Sequence, residues 1–361
     1  MKSVVLIDAL DGAAGCHLIQ CEAEALAVRD ACLGWLPLGG LLARLADPIV
    51  RTWMRRAGTA YAAEIDSVAR TLKKPGIWLL HGAYLFGCTA LGDESEEGPR
   101  LRRTLDWPFP GLGRLAEVRR QRGSAGEFLN VTWPGFVGVL TAVAPARFAA
   151  SINQAPMRRR WRSPMLLWLD YALNALAGLR GSGRLPPEHL LRHVFETCTS
   201  FDDARHRLET EPVARPVLFL LVGTKPGERI VIEREETAAR THRDDTVFAN
   251  DWRERHPKWR PRGCGDGEPV ENNIRRRSAL AAWTGRDAHD FAWVTAPVLN
   301  ACTRLSVEMC PATGELTVAG WEVDDRGSAG RVTAVTSFQI GRERLVGTRP
   351  CGAHVLLADG A

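Results

Sequence analysis

The sequence predicts an α+β fold in which a strand-rich middle is flanked by helices. Three observations carry that expectation. Residues 115–154 hold four short runs rich in β-branched and aromatic residues (LAEVRRQR, FLNVTWPG, FVGVLTAV, ARFAASIN), separated by turn residues and read as consecutive antiparallel strands. Two further hairpins turn at Lys225-Pro226-Gly227 and Ala312-Thr313-Gly314. Helical periodicity dominates most of residues 22–74 and returns at 164–180, 187–197, 201–210 and 271–283.

At 361 residues the chain is long enough for a large core. Its 45% apolar and 25% charged residues are those of a globular protein. The net charge of +5 is mild and the basic residues, nearly all arginine, are spread along the chain. A basic face for nucleic acid is therefore not expected. Nine cysteines, an odd number without a CxxC pair, leave at least one thiol free.

In order, SVVLID (3–8) reads as a strand with AGCHLIQCEA as its candidate partner, followed by helix from Glu22 to about Ala46, interrupted at Pro37 and Gly39-Gly40. Over GGLLARLADPIVRTWMRRAG, Leu41, Leu42, Leu45, Ile49 and Trp53 fall near one face. The first reading is a helix packed on the core, the second an interfacial helix that docks on a membrane through residues 40–56. YAAEIDSVARTLKK is amphipathic and stops at Pro75-Gly76. Arg158 to Arg162 reads as a solvated turn before a helix. His189 and His193 share a helix face without the glutamate and third ligand a zinc site needs, so no metal is expected. The Pro/Gly-rich stretch HPKWRPRGCGDGEPVE is a loop of the kind that walls a site.

The chemistry concentrates around Cys88. It directly follows Gly87 and opens the strand CTALG, and after an acidic turn RRTLDW returns Arg103 and Asp106 beside it. A guanidinium near a thiol favours the nucleophilic thiolate, and a carboxylate orients the group that takes the proton. Taken singly, Cys88 reads as an inert buried thiol, Arg103 with Asp106 as a surface ion pair, and Asn250 as a turn residue.

Together, Gly-Cys-Thr followed about 15 residues later by Arg-x-x-Asp resembles the cysteine N-terminal-nucleophile hydrolases, in the branch of acid ceramidase and N-acylethanolamine-hydrolysing acid amidase. Penicillin V acylase and choloylglycine (bile-salt) hydrolase are more distant members. The resemblance continues in GFVGVLTAVAPARFAASINQ, VFAND, NIRRRSAL and APVLNACTRLSVEMCPATGELTV. It implies an αββα sandwich, two mainly antiparallel sheets between helical layers. It also implies self-cleavage before Cys88 into segments 1–87 and 88–361.

The freed α-amine would serve as base, its usual pKa of about 7.7–8.0 lying near a thiol's about 8.5. The implied roles are nucleophile for Cys88, thiolate or carbonyl stabilisation for Arg103 and amine positioning for Asp106. Asn250 would donate its side-chain amide to the oxyanion, and Arg276, with Arg277 as the neighbouring register, would secure the wall. Trp107, Phe109, Trp133 and Phe136 are candidates for an acyl pocket. Gln154, beside Asn153, stands where the lipid amidases carry an acidic residue, so no acidic pH optimum is implied. The expected substrate is a linear N-acyl amide with a hydrophobic acyl chain, hydrolysed through a Cys88 thioester without a cofactor. Acyl transfer, and a non-catalytic binding protein that keeps the fold uncleaved, are the alternatives. The lysosomal members carry secretion signals; MKSVVLIDALDGAAG does not read as one, and the expectation is a cytoplasmic protein.

Overall fold

The computed structural model describes residues 1–10, 21–34, 38–82, 87–161, 163–180, 183–264, 267–285, 290–340 and 348–350. Eight α-helices lie among them: α1 Glu22–Gly34, α2 Gly39–Arg56, α3 Ala62–Leu72, α4 Ile77–Gly82, α5 Leu167–Arg180, α6 Pro187–Thr197, α7 Phe201–Thr210 and α8 Pro269–Ala282. The first of these ends at Gly34 and the second begins at Gly39, on either side of the interruption the sequence marks. The partner segment expected for the first strand falls largely outside the described residues.

The strands are β1 Val5–Asp8, β2 Gly87–Ser95, β3 Gly98–Asp106, β4 Glu117–Gly123, β5 Gly126–Thr132, β6 Thr141–Ala144, β7 Phe148–Gln154, β8 Met157–Arg158, β9 Val217–Val222, β10 Arg229–Arg234, β11 Ala239–His242, β12 Val247–Phe248, β13 Trp259–Arg260, β14 Thr303–Cys310, β15 Glu315–Val323, β16 Ala329–Arg331, β17 Thr336–Gln339 and β18 Thr348–Pro350. One sheet runs β11-β10-β9-β7-β6-β5-β4-β1-β18; the other runs β12-β2-β3-β14-β15-β16, with β17 also on β15. Pairing is antiparallel except where β1 lies parallel to β4 and β18. The four runs between 115 and 154 form the expected meander β4 to β7. FVGVLTAV contributes only its second half: in its first half the Gly138 carbonyl accepts from the Asn130 side chain and the Val139 N–H donates to the Glu188 carbonyl.

The sheets pack face to face through β2 and β3 against β7 and β9. Their alternating apolar side chains, among them Cys88, Ala90, Leu101, Leu105, Ile152 and Leu220, make the main core. Helices α6 and α7 cover the outer face of the nine-stranded sheet, and α8 lies against β2 and β12 of the other. The layering is therefore αββα. Helices α1 to α4 build a second cluster around Trp53, Met54, Ile65 and Trp78, which reaches Val137 and Ala214.

Helix α2 corrects the first reading of its apolar face. Leu41, Leu42, Leu45 and Ile49 are exposed at 47 to 64%, whereas Ala43, Val50, Trp53 and Met54 are buried. The helix is turned by roughly a third of a revolution because the small Ala43 lets Gly76 approach, and Val50 closes on Gly82.

Candidate active site

Cys88 is the second residue of β2, and its three directions meet three different walls. Strand alternation sends its thiol inward between the sheets, where Arg103 Nη2 donates to Sγ. Arg103 stands opposite Ala90 on β3, fully buried, with Nη1 donating to the Leu140 carbonyl (3.0 Å) and Thr141 Oγ1 (2.6 Å) on the facing sheet. At the strand edge the Cys88 N–H donates to Asn250 Oδ1 (2.8 Å), and its carbonyl accepts from Arg276 Nη1 (2.7 Å). The backbone of Gly87 is in register with Asp106.

Arg103 and Asp106 are not a surface pair. They project from opposite faces of β3 and both are buried. Asp106 faces α8 and accepts from Thr303 Oγ1 (2.9 Å) and the Cys264 thiol (3.0 Å), with Arg276 Nη1 at 3.7 Å. Arg276 is the hub of this outer side. It donates to Asn272 Oδ1 (2.9 Å), Asn273 Oδ1 (2.9 Å), Thr89 Oγ1 (2.8 Å) and Asn250 Oδ1 (3.2 Å). On α8, Arg276 is enclosed and Arg277 is only half-buried.

Two features of the intact chain bear on the electrostatics of the site. Arg103 does lower the Cys88 pKa, but burial outweighs it and Asp106 works the same way as burial, so the thiol of the intact chain is pushed up to about 11. The thiol is therefore protonated at neutral pH. The Asn250 amide is likewise committed: Nδ2 donates to the Gln154 carbonyl (2.9 Å), and two donors on Oδ1 fix its orientation. In the intact chain it holds the Cys88 N–H as an acceptor and leaves its donor on β7.

Trp107 and Trp133 lie in the same core as Cys88, with ring centroids 4.8 Å apart, and Phe109 is 6.2 Å from Trp107. Trp133 Nε1 donates to the Leu112 carbonyl (2.8 Å), and Phe136 stacks on His81 at 5.5 Å. Gln154 ends β7 beside Asn250. His189 and His193 serve separate partners, Thr59 and Arg207. Arg158 pairs with Glu236 rather than forming a solvated turn.

The residue that sequence reasoning missed is Cys264. Its only advance signal was its place in the Pro/Gly-rich loop expected to wall a site. Its backbone is held by Asn272, whose Nδ2 donates to the Cys264 carbonyl (2.7 Å).

No family model matches the chain. It is 31% identical over 150 residues to the N-acylethanolamine-hydrolyzing acid amidase of Oryctolagus cuniculus, which covers 41% of this chain and 38% of that protein. It is 30% identical over 118 residues to the acid ceramidase of Mus musculus, 32% of this chain and 27% of that one. The alignments thus span well under half the length of these relatives. Among solved structures, a Caenorhabditis elegans N-acylethanolamine-hydrolyzing acid amidase ortholog superposes with a TM-score of 0.46 at 17% identity, over 62% of this chain and 92% of that one. Over 41% of its length, the chain is homologous to N-acylethanolamine-hydrolyzing acid amidase, and over 32% to acid ceramidase.

Proposed function

We propose that the chain is a self-cleaving amidase that hydrolyses a linear N-acyl amide with a hydrophobic acyl chain. The observation that supports this best is the convergence on Cys88: Arg103 on the thiol, Asn250 on the amide, and Asp106 in register with the preceding Gly87. In the cleavage step Sγ attacks the Gly87 carbonyl, the thiol proton passes to the Cys88 nitrogen, and the C–N bond breaks, so that the nitrogen leaves as the new α-amine with its own hydrogen and the one from the thiol. Water then splits the Gly87 thioester, which leaves a Gly87 carboxylate and a free thiol.

The same atoms then run the hydrolysis. The α-amine takes the thiol proton, the thiolate attacks the amide carbonyl, and the resulting ammonium protonates the departing amine. Water releases the acid from the thioester. Asp106 favours the ammonium form, and Arg103 stabilises sulfur's negative charge. For the oxyanion contact, typically worth about 3 kcal/mol in the transition state, Asn250 Nδ2 turns away from the Gln154 carbonyl while Oδ1 stays held by Arg276.

The non-catalytic reading draws on the complete burial of Cys88 and its raised pKa in the intact chain. An acyltransferase would differ by letting an amine compete with water for the thioester. Peripheral membrane contact through residues 40–56 is supported by the exposed Leu41, Leu42, Leu45 and Ile49; Trp168 is also exposed, on α5, which contacts α2. No single helix among the described residues is long and apolar enough to cross a membrane. None of the described cysteines is in a disulfide, which suits the proposed cytoplasmic location.

Intact mass of the wild type beside Cys88→Ala tests the core of this. Two fragments meeting between Gly87 and Cys88 in the wild type alone, followed by turnover of N-acyl amides, is the expected result. A wild-type chain that stays whole across acidic and neutral pH would move the binding-protein reading to the front.

A further inference from the structure

Cys264 enters the site from the far side of the scissile peptide. Its thiol donates to Asp106 Oδ2 (3.0 Å), and the other carboxylate oxygen takes Thr303 Oγ1 (2.9 Å). A methyl group on Gly87 would lie 2.4 Å from Cys264 Sγ and 2.6 Å from its Cβ, so the sulfur is seated against the Gly87 α-carbon. Asn272 fixes the Cys264 backbone through both its carbonyl and its N–H, and the same Asn272 Oδ1 accepts from Arg276 Nε. Burial, reinforced by Asp106, holds the Cys264 pKa well above the usual thiol range, so it stays S–H and acts as a neutral donor.

The geometry points to Cys264 as a positioning residue that seats Gly87 for cleavage and then holds Asp106 in place for the Cys88 α-amine. This rests on the amidase reading above. The requirement for glycine at position 87 follows from sterics, since any Cβ there meets the sulfur. The second role follows from charge. A cation at position 264 would neutralise Asp106, and an apolar side chain would leave Oδ2 without this donor. A thiol fixes the carboxylate while leaving its negative charge to the ammonium that cleavage creates.

Cys264 itself is not the nucleophile here. Its sulfur faces a carboxylate rather than a guanidinium, which disfavours the thiolate.

The experiment uses the full chain in five forms: wild type, Cys264→Ser, Cys264→Ala, Gly87→Ala and Gly87→Ala with Cys264→Gly. Cleavage rate is read by intact mass, and the pH profile of kcat/KM on the matured protein by turnover of an N-acyl amide. Cys264→Ser, which keeps a donor, should retain the acidic limb at or below its wild-type position. Cys264→Ala should move it upward by about half a pH unit, because an Asp106 with one donor fewer binds the ammonium more strongly and raises the pH at which free amine forms. Gly87→Ala should cleave at least about tenfold more slowly than wild type, and Cys264→Gly should restore most of that loss by removing the colliding atoms. A folded Cys264→Ala that cleaves and titrates as wild type does, with no relief of Gly87→Ala by Cys264→Gly, overturns this role and leaves the amidase standing. A wild type that never cleaves overturns both.

Discussion

Arg103 spends one guanidinium nitrogen on the Cys88 sulfur and the other on the Leu140 carbonyl and Thr141 hydroxyl of the opposite sheet. No carboxylate is within ion-pairing reach of it among the described residues, so its charge is directed at the thiol. Arg103→Lys offers one ammonium where a fork spans two sheets, and it cannot serve both ends. Its kcat/KM should fall by about a hundredfold or more while cleavage slows in parallel. Arg103→Ala should in addition lose about 2 kcal/mol of stability, because Leu140 O and Thr141 Oγ1 are left buried without their donor. Steady-state kinetics and denaturant unfolding check the two parts separately. A lysine variant with wild-type turnover would remove Arg103 from the chemistry.

Arg276 and Arg277 give a sharper contrast, since they are adjacent in sequence and differ in burial. Arg276→Gln breaks contacts to Cys88 O, Thr89, Asn250, Asn272 and Asn273 at once. It should abolish cleavage and lower the unfolding free energy by about 3 kcal/mol, the usual scale for breaking a buried charged network. Arg277→Gln should leave cleavage intact and stability within about 0.5 kcal/mol. Differential scanning with intact mass on the two purified variants distinguishes them. Equal effects from both would mean the α8 register places the wrong arginine in the site.

What could be read from the sequence and what could not divide along physical lines. The meander at 115–154 and the hairpins at 225–227 and 312–314 were legible because period-2 patterning and turn residues are local signals. Cys88, Arg103 and Asp106 were legible because a single hairpin brings them together. The exposed face of α2 was not: the apolar residues Leu41, Leu42, Leu45 and Ile49 form as good an apolar stripe as the buried Ala43, Val50, Trp53 and Met54, and only the tertiary approach of Gly76 and Gly82 decides which side turns inward. The raised pKa of the thiol in the intact chain was not legible, because a sequence shows the neighbouring cation and not the depth of burial, which is the larger effect here. Cys264 lies 158 residues from Asp106, and no local pattern reports a contact of that range.

The seam between α4 and the loop around Val137 carries a pH dependence. His81 is buried, donating from Nδ1 to the Ile77 carbonyl (2.7 Å) and accepting the Val137 N–H on Nε2 (3.1 Å). Burial lowers its pKa to about 4, with Arg119 acting in the same direction. A histidine lowered in the folded state contributes stability that is present above its usual 6.5 and is lost as pH falls through 6.5 towards 4, at most about 3 kcal/mol. Nearby Glu188 opposes it. Burial raises this carboxyl to about 7 against the pull of Arg215, so its contribution is present below 4.5 and lost as pH rises through 7. His189, also held neutral by burial, adds to the effect of His81. His81→Gln should therefore lose less stability than wild type between pH 6.5 and 4.5, and hydrogen exchange in α4 should become less acid-sensitive. Parallel pH slopes for the two proteins would contradict the assignment.

The apolar side of α2 can be separated from catalysis by how substrate is presented. Leu41, Leu42, Leu45 and Ile49 lie on the exposed face, with Trp168 and Leu176 exposed on α5, which packs against it. Arg44 and Arg56 are exposed on the same helix and suit an anionic surface. Arg51 and Arg55 are already paired with Asp66 and are less available to lipid. Leu45→Ser with Ile49→Ser removes two of the largest exposed side chains without touching Val50, Trp53 or Met54 of the core. Binding to vesicles of mixed zwitterionic and anionic lipid should weaken by about tenfold or more, given roughly 1.5–3 kcal/mol for each large apolar side chain fully buried. Turnover of an amide carried in those vesicles should fall with it, and turnover of a short-chain, water-soluble amide should not change. Sedimentation of protein with vesicles at low and high salt isolates the arginine contribution, which salt screens while the leucine and isoleucine contribution persists. Wild-type protein that fails to sediment with any vesicle would assign this face to another partner. A double variant that loses both substrates equally would instead place α2 in the support of the site rather than in lipid contact.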